Sequence, residues 1–290
     1  MKRVKYLFVV VLAALALVGA ARPACAVTAE EVIKKAIDTY QKMDNYIYTN
    51  SKEGLDTFAK KQAAKMTEAN KNLADSAGVE VKNKAATAAG APKMTYAKYN
   101  VKFMKPYVLQ MQILRLDLAP DLLIEGKFTY NSATDPKSWW AKLKLTPTPL
   151  KRSVAKDDAS GFLTMGWSTD FIDMQNFAAN GKAKYAGKGK ALGIDCHIIE
   201  ISFTKDNWAK FKPITPKWAD WGIPSNIQHL VKENLSDPKE KKYSSVKYWI
   251  SVKDNHLIQI EKYIGGKFYW RDNFAKIKTN YLKKADFSTK

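Results

Sequence analysis

Two cysteines in 290 residues are too few for a disulfide framework, and one of them, Cys25, lies in a stretch that reads as a leader. Once Cys25 leaves with that leader, Cys196 is alone and no intramolecular disulfide can form, even in an oxidising compartment. Cys196 stands in the apolar run Ile194-Asp195-Cys196-His197-Ile198-Ile199, which suits a buried thiol better than a nucleophile. The only histidines, His197, His229 and His256, show no ligand spacing, so neither a metal site nor a cofactor is expected. A phosphate loop and a dinucleotide fingerprint are missing. Ser160-Gly161 and Gly166-Trp167-Ser168 lack the G-x-S-x-G elbow. The carboxylate pairs Asp157-Asp158, Asp170-Asp173 and Asp237-Glu240 have no histidine or nucleophile pattern beside them. Acid–base chemistry needs such partners within hydrogen-bond reach, so no catalytic residue is assigned and a non-enzymatic protein is expected.

Long apolar runs are also lacking, apart from one at the start. Lys2, Arg3 and Lys5 precede an apolar stretch from Tyr6 to Val18, and Ala24-Cys25-Ala26 follows. The stretch falls short of the ~20 residues that cross a bilayer. A positive n-region, a short h-region and an A-x-A site predict a signal peptide, residues 1–26, cleaved after Ala26, and hence export to a bacterial periplasm. Arg22 stands where a lipobox wants an aliphatic residue, which argues against acylation at Cys25.

Acidic residues are scarce: 28 Asp+Glu face 48 Lys+Arg, a net charge of +20. Removing Lys2, Arg3, Lys5 and Arg22 with the leader leaves 44 against 28 in the mature chain, or +16. Such a charge favours anionic partners: phospholipid head groups, lipopolysaccharide or cell-wall polymers. Nucleic acid is not expected, because an exported protein seldom meets it. The lysines run along the whole chain, so a generally solvated basic surface fits as well as a dedicated patch.

About 264 residues remain after cleavage, read as a single domain over 27–290 with two insertions, at about 55–92 and about 204–245. Thr28 and Glu31 form a capping-box pattern, and Val32, Ile33, Ala36, Ile37, Tyr40 and Met43 recur at helical spacing, predicting a helix over Ala29 to Met43. Tyr46 to Thr49 has strand character. The first insertion is rich in Ala, Lys and Asn with a loose helical rhythm. Strands are predicted around 98–104, 108–114, 124–130 and 139–145, as an antiparallel meander. One or two helices follow between 153 and 180: Phe162, Leu163 and Met165, then Phe171, Ile172, Met174, Phe177 and Ala178, closing at Asn180-Gly181. Strands return at 183–187 and 193–203. The second insertion carries aromatic residues among lysines and a helix over 225–234. Three strands, at 246–252, 257–264 and 267–277, end the chain.

Two stretches resemble the periplasmic lipoprotein-carrier (LolA/LolB-like) superfamily. The first is Val101-Lys102-Phe103-Met104-Lys105-Pro106, an apolar strand, then Gly126-Lys127-Phe128-Thr129-Tyr130. The second runs from Tyr248-Trp249-Ile250-Ser251-Val252 through Leu257 to Glu261 and Gly266 to Phe274-Ala275-Lys276-Ile277-Lys278-Thr279-Asn280. Both insertions depart from the compact carriers. The resemblance implies an α+β fold, a curved antiparallel half-barrel sheet whose concave face is covered by helices. It further implies a carrier or sensor of a lipid or lipoprotein acyl chain. Period-2 alternation then assigns Tyr99, Val101, Phe103, Leu109, Met111, Ile113, Phe128 and Tyr130 to a hydrophobic cavity. Phe171, Met174 and Phe177 form its lid. The same alternation fits an ordinary closed core, and a one-residue slip would swap the faces. Trp208, Trp218 and Trp221, among Lys205, Lys210, Lys212 and Lys217, suit an anionic membrane surface. They equally suit packing of the insertion onto the domain. On that alternative the protein is an envelope scaffold that docks through its basic, Trp-containing face.

Overall fold

Thr28 opens the first helix, α1 (Ala29–Lys42), as the capping box requires: its hydroxyl accepts from the Glu31 backbone N–H, and the Glu31 carboxylate accepts from the Thr28 N–H. Val32, Ile33, Ala36, Ile37 and Tyr40 form the buried stripe. The computed structural model describes residues 27–55, 94–117, 125–144, 146–154, 166–235 and 243–287. The leader, the first insertion past Leu55, Phe162, Leu163, Met165, Ser160-Gly161 and the pairs Asp157-Asp158 and Asp237-Glu240 lie outside the described residues.

After α1 come β1 (Asn45–Leu55), β2 (Met94–Met104), β3 (Val108–Leu116), β4 (Lys127–Asn131), β5 (Ser138–Lys142) and β6 (Leu150–Ser153). Helix α2 (Trp167–Asn180) precedes β7 (Lys182–Ala191) and β8 (Ile194–Ser202). Short helices α3 (Lys205–Ala209) and α4 (Gln228–Asn234), with 3-10 turns at Trp218–Trp221 and Ser225–Ile227, lead to β9 (Ser245–Ser251), β10 (Leu257–Ile264) and β11 (Lys267–Thr279). Among the described residues all pairings are antiparallel, in one open sheet of 11 strands ordered β6-β5-β4-β3-β2-β1-β11-β10-β9-β8-β7. Two meanders thus meet where β1 pairs with β11, with Asn50 opposite Phe274 and Lys52 opposite Asp272. The fold class is the expected one, an open antiparallel half-barrel with helices on one face.

Size explains the curvature. Eleven flat strands at ~4.8 Å spacing would span roughly 48 Å, whereas a 14-residue helix is about 21 Å long. A single hydrophobic cluster nevertheless joins α1 and α2 to inner-face residues from Trp139 on β5 to Ile201 on β8, so the sheet wraps around the helices. Irregular register at Lys98/Tyr99, Lys262/Tyr263 and Tyr185/Gly187 helps it bend. Gly187 takes φ +110 at the last of these, where a side chain would be strained.

Candidate functional site

The inner face follows from strand parity. On β1 it carries Tyr46, Tyr48, Asn50, Lys52 and Gly54, opposite Phe103, Val101, Tyr99, Ala97 and Thr95 of β2. Phe103 and Val101 in turn face Leu109 and Met111 of β3, which face Tyr130 and Phe128 of β4. The eight residues assigned to a cavity therefore share one face. All eight are buried, from 0% exposure at Leu109 and Tyr130 to 7% at Phe128, and in this closed arrangement they pack as core.

Their cover is aromatic. Trp167, at the start of α2, lies 5.0 Å from Tyr46 and 5.1 Å from Tyr48, centroid to centroid, and its backbone N–H donates to the Tyr46 hydroxyl at 3.1 Å. Tyr40 of α1 lies 5.0 Å from Phe171 of α2 and stacks on Trp221 at 5.5 Å. The Tyr40 and Ser168 hydroxyls are neighbours, but neither makes a hydrogen bond of good geometry, and the Trp167 Nε1–H has no partner among the described residues. Burial pushes the Tyr40, Tyr46, Tyr48 and Tyr107 hydroxyls well above the ordinary range, so they remain neutral donors.

Phe171, Met174 and Phe177, the three lid positions, are fully buried. They are covered from above as well as below. Phe177 meets Phe203 at 5.4 Å and Trp208 and Phe211 at 6.4 Å each. The Asn176 side-chain oxygen accepts from the Ile214 N–H at 2.7 Å, and Asn180 bonds the Lys212 backbone in both directions at 2.8 and 3.0 Å. Part of the 204–245 stretch is thus a second layer over α2.

That layer changes the reading of the tryptophans. Trp221 is 2% exposed and stacked on Tyr40, so it belongs to the core and offers no ring to a membrane: a correction to the surface assignment. Its lysine-rich surroundings hid the burial, because sequence cannot show that Tyr40 waits beneath. Trp208 and Trp218 are half-buried. Trp208 stacks on Phe203 at 4.4 Å and donates Nε1–H to the Tyr243 carbonyl at 2.9 Å.

Toward the β10 side the aromatic lining gives way to charge. Lys52, Lys262 and Asp272 stand on the inner face of β1, β10 and β11, opposite Asp170 and Asp173 of α2. Lys52 Nζ is 3.1 Å from Asp272 Oδ1, and Trp270 Nε1 donates to Asp272 Oδ2 at 2.7 Å. A Cβ at Gly54 would run into the Trp270 ring, so this strand position needs glycine. Burial drives the Asp170 carboxyl up to about 7, reinforced by Asp272 and opposed by Lys52 and Lys262. Asp272 goes the other way: desolvation would raise it, but Lys52 and Lys262 outweigh that and hold it below the usual range. Burial disfavours the Lys262 ammonium, but the acidic groups Tyr243, Asp173, Asp272 and Asp170 around it outweigh burial and hold it protonated; Asp170, Lys262, Lys52 and Trp270 all keep some accessible surface.

Sequence reasoning singled out none of Tyr40, Tyr46, Tyr48, Lys52, Trp167, Lys262, Phe274 or Asp272 for the site. The available signal was the even-numbered alternation Tyr46, Tyr48, Asn50, Lys52 of a long strand, masked because its second half is polar. Among the described residues no group of three His, Cys, Asp or Glu is arranged to hold a metal, and no helix is long and apolar enough to cross a membrane.

No family model matches the chain, and no curated protein does. Among solved structures the chain is similar to a LolA superfamily protein from Nitrosomonas europaea, at 11% identity and TM-score 0.29, over 91% of this chain and 98% of that one. It is also similar to the Mycobacterium tuberculosis lipoprotein LppX, at 10% identity and TM-score 0.40, over 88% and 96%. A third likeness is to an uncharacterized conserved protein from Thermus thermophilus, at 7% identity and TM-score 0.40, over 89% and 91%.

Proposed function

We propose that this chain is an exported, non-enzymatic binding protein of the bacterial envelope that holds the acyl chain of a lipid or lipoprotein between the sheet and its helices. The observation that carries the reading is the continuous inner face of aromatic and aliphatic side chains beneath α1 and α2, with the partly accessible Asp170, Lys262, Lys52 and Trp270 on the β10 side. An acyl chain gains about 0.8 kcal/mol for each CH₂ removed from water. Tyr99, Val101, Phe103, Leu109, Met111, Ile113, Phe128 and Tyr130 form the apolar bed that the chain reaches as α2, with Phe171, Met174 and Phe177, moves outward. Among the described residues the Tyr40 and Ser168 hydroxyls and the Trp167 Nε1–H lack a hydrogen bond of good geometry, which supports the cover parting there first.

Fluorescence tests this directly. A phospholipid brominated along its acyl chain quenches Trp167 when the chain enters, so the quenching is expected to fall markedly in Trp167→Phe. Quenching equal to that by free bromide in solution would refute the reading.

A second reading has one observation of its own. Lys182, Lys184, Lys188 and Lys190 are all exposed on the edge strand β7, a basic rim suited to an anionic membrane surface. Salt-sensitive co-sedimentation with phosphatidylglycerol vesicles, lost when these four lysines become glutamine, is the expected result. Binding that persists in the variant ends this reading.

A further inference from the structure

Exposed apolar side chains gather at one end of the sheet. Strands β7 and β8 are joined by a two-residue turn, Leu192-Gly193, between the paired residues Ala191 and Ile194. Both turn residues take positive φ, +51 at Leu192 and +79 at Gly193, the backbone that a tight hairpin needs to match the twist of its strands. Glycine adopts it freely. Leucine is strained in it, and asparagine or aspartate is the ordinary choice beside the glycine. The neighbouring β9–β10 turn follows that rule, with Asn255 at φ +53.

Leu192 does not bring its side chain to the core: it is 51% exposed, and Ile194 beside it 38%. Val252, 37% exposed, opens the β9–β10 turn and donates its N–H to the Asp195 carbonyl at 2.9 Å, so the two turns lie side by side. Single exposed hydrophobic residues are common and need no account. Three at adjoining turns, one of them held in a backbone that disfavours it, form a projecting apolar tip. Lysines stand behind it: Lys188 and Lys190 on β7 and Lys253 in the second turn are all exposed. Among the described residues the acids of these two hairpin ends are Asp195 and Asp254. Lys190 lies 3.7 Å from Asp195, but the side chains are 71% and 74% exposed, and so open a pair leaves the lysine available.

We infer that this tip enters the head-group layer of an anionic phospholipid bilayer, Leu192, Ile194 and Val252 passing below the phosphates while Lys188, Lys190 and Lys253 stay among them. This rests on the membrane-docking reading, in which the β7 lysines draw the protein to the surface, and adds the group that holds it there. A fluid lipid layer yields around a projecting turn and buries its apolar side chains. The lysine stems reach back toward the phosphates as the tip sinks past them. Insertion also sets an orientation. The β7–β8 and β9–β10 turns face the bilayer, and the β10–β11 turn at Ile264, at the other end of β10, faces away from it.

The test places the environment-sensitive fluorophore NBD on the exported, processed protein, at the tip through Leu192→Cys and at the far turn through Ile264→Cys. Cys196 is fully buried and stays unlabelled in the folded protein. On adding phosphatidylglycerol vesicles, emission from position 192 is expected to shift to the blue and to rise severalfold, while emission from position 264 stays as in buffer. Leu192→Asn, without a label, suits the turn better than the leucine. It is expected to keep or raise the denaturation midpoint and to weaken vesicle binding about tenfold, the worth of one buried leucine. Binding by wild type with no change at position 192, an equal change at both positions, or undiminished binding by Leu192→Asn each overturns insertion of the tip and leaves docking through the β7 lysines standing. No binding by wild type overturns both.

Discussion

Asp170 is retained at a cost in stability that pH makes visible. Its carboxyl sits near 7 in the fold, against 3.8 ordinarily, so between about pH 4 and 7 the unfolded chain has released a proton that the native state still holds. Stability therefore falls as pH rises through that window. Asp170→Asn is expected to flatten this dependence and to be more stable than wild type at pH 7.5, on the order of 2 kcal/mol. Urea titrations at several pH values check it; an unchanged pH slope would show that the carboxylate is already satisfied. Asp272, held low, acts in the opposite sense, its contribution being lost only as pH falls below about 4.

On the convex face Arg271 joins Glu53 and the buried Glu261, the latter at 2.7 Å, and Gln259 and Tyr263 complete the network. Arg271→Met strands the Glu261 carboxylate. The expected loss is about 3 kcal/mol, the lower end for a broken buried pair because the arginine is partly solvated. Pairing it with Glu261→Gln should recover much of the loss, as read from the denaturation midpoint; if the double variant is no better, the cost is packing rather than charge.

At the level of elements, what holds the cover down is polar and local. Lys105 Nζ donates to the Gln41 carbonyl at 2.6 Å at the end of α1 and lies 5.9 Å from the Tyr40 ring centroid. Burial lowers its pKa, against the pull of Asp44. Lys105→Met should loosen α1, costing about 1–2 kcal/mol, with faster amide exchange confined to the last turn of the helix. Exchange that speeds up across the whole sheet would show instead that Lys105 supports the core. α1 was legible in the sequence to within one residue because its capping box and its 3.6-residue stripe agree. β10 was legible for a similar reason, an apolar run ended by Gly265-Gly266. β1 was read as four residues where eleven pair, because Asn50, Lys52 and Gly54 interrupt its apolar alternation. Those interruptions are the polar side of the site, so the strand was hidden where it carries most interest. β6 and α3 were missed because four or five residues hold too little periodicity.

For the molecule as a whole, two meanders joined at β1 and β11 make a sheet wide enough to surround a ligand yet open at β6 and β7. The exposed lysines of β7 discourage pairing with another chain at one open edge. The concave apolar face was readable from alternation on β2 to β4. The charged group on the β10 side was not, since Lys52, Lys262 and Asp272 come from three strands and meet only through the pairing of β1 and β10 with β11.

The central claim is that the space under the helices holds an acyl chain. Native mass spectrometry with lipid extraction, on protein purified from the envelope of its own cell, tests it most directly. The account predicts co-purified acyl lipid in near-stoichiometric amount, released on unfolding. Protein that is free of lipid when so purified, and stays so after incubation with phospholipid vesicles, would contradict it.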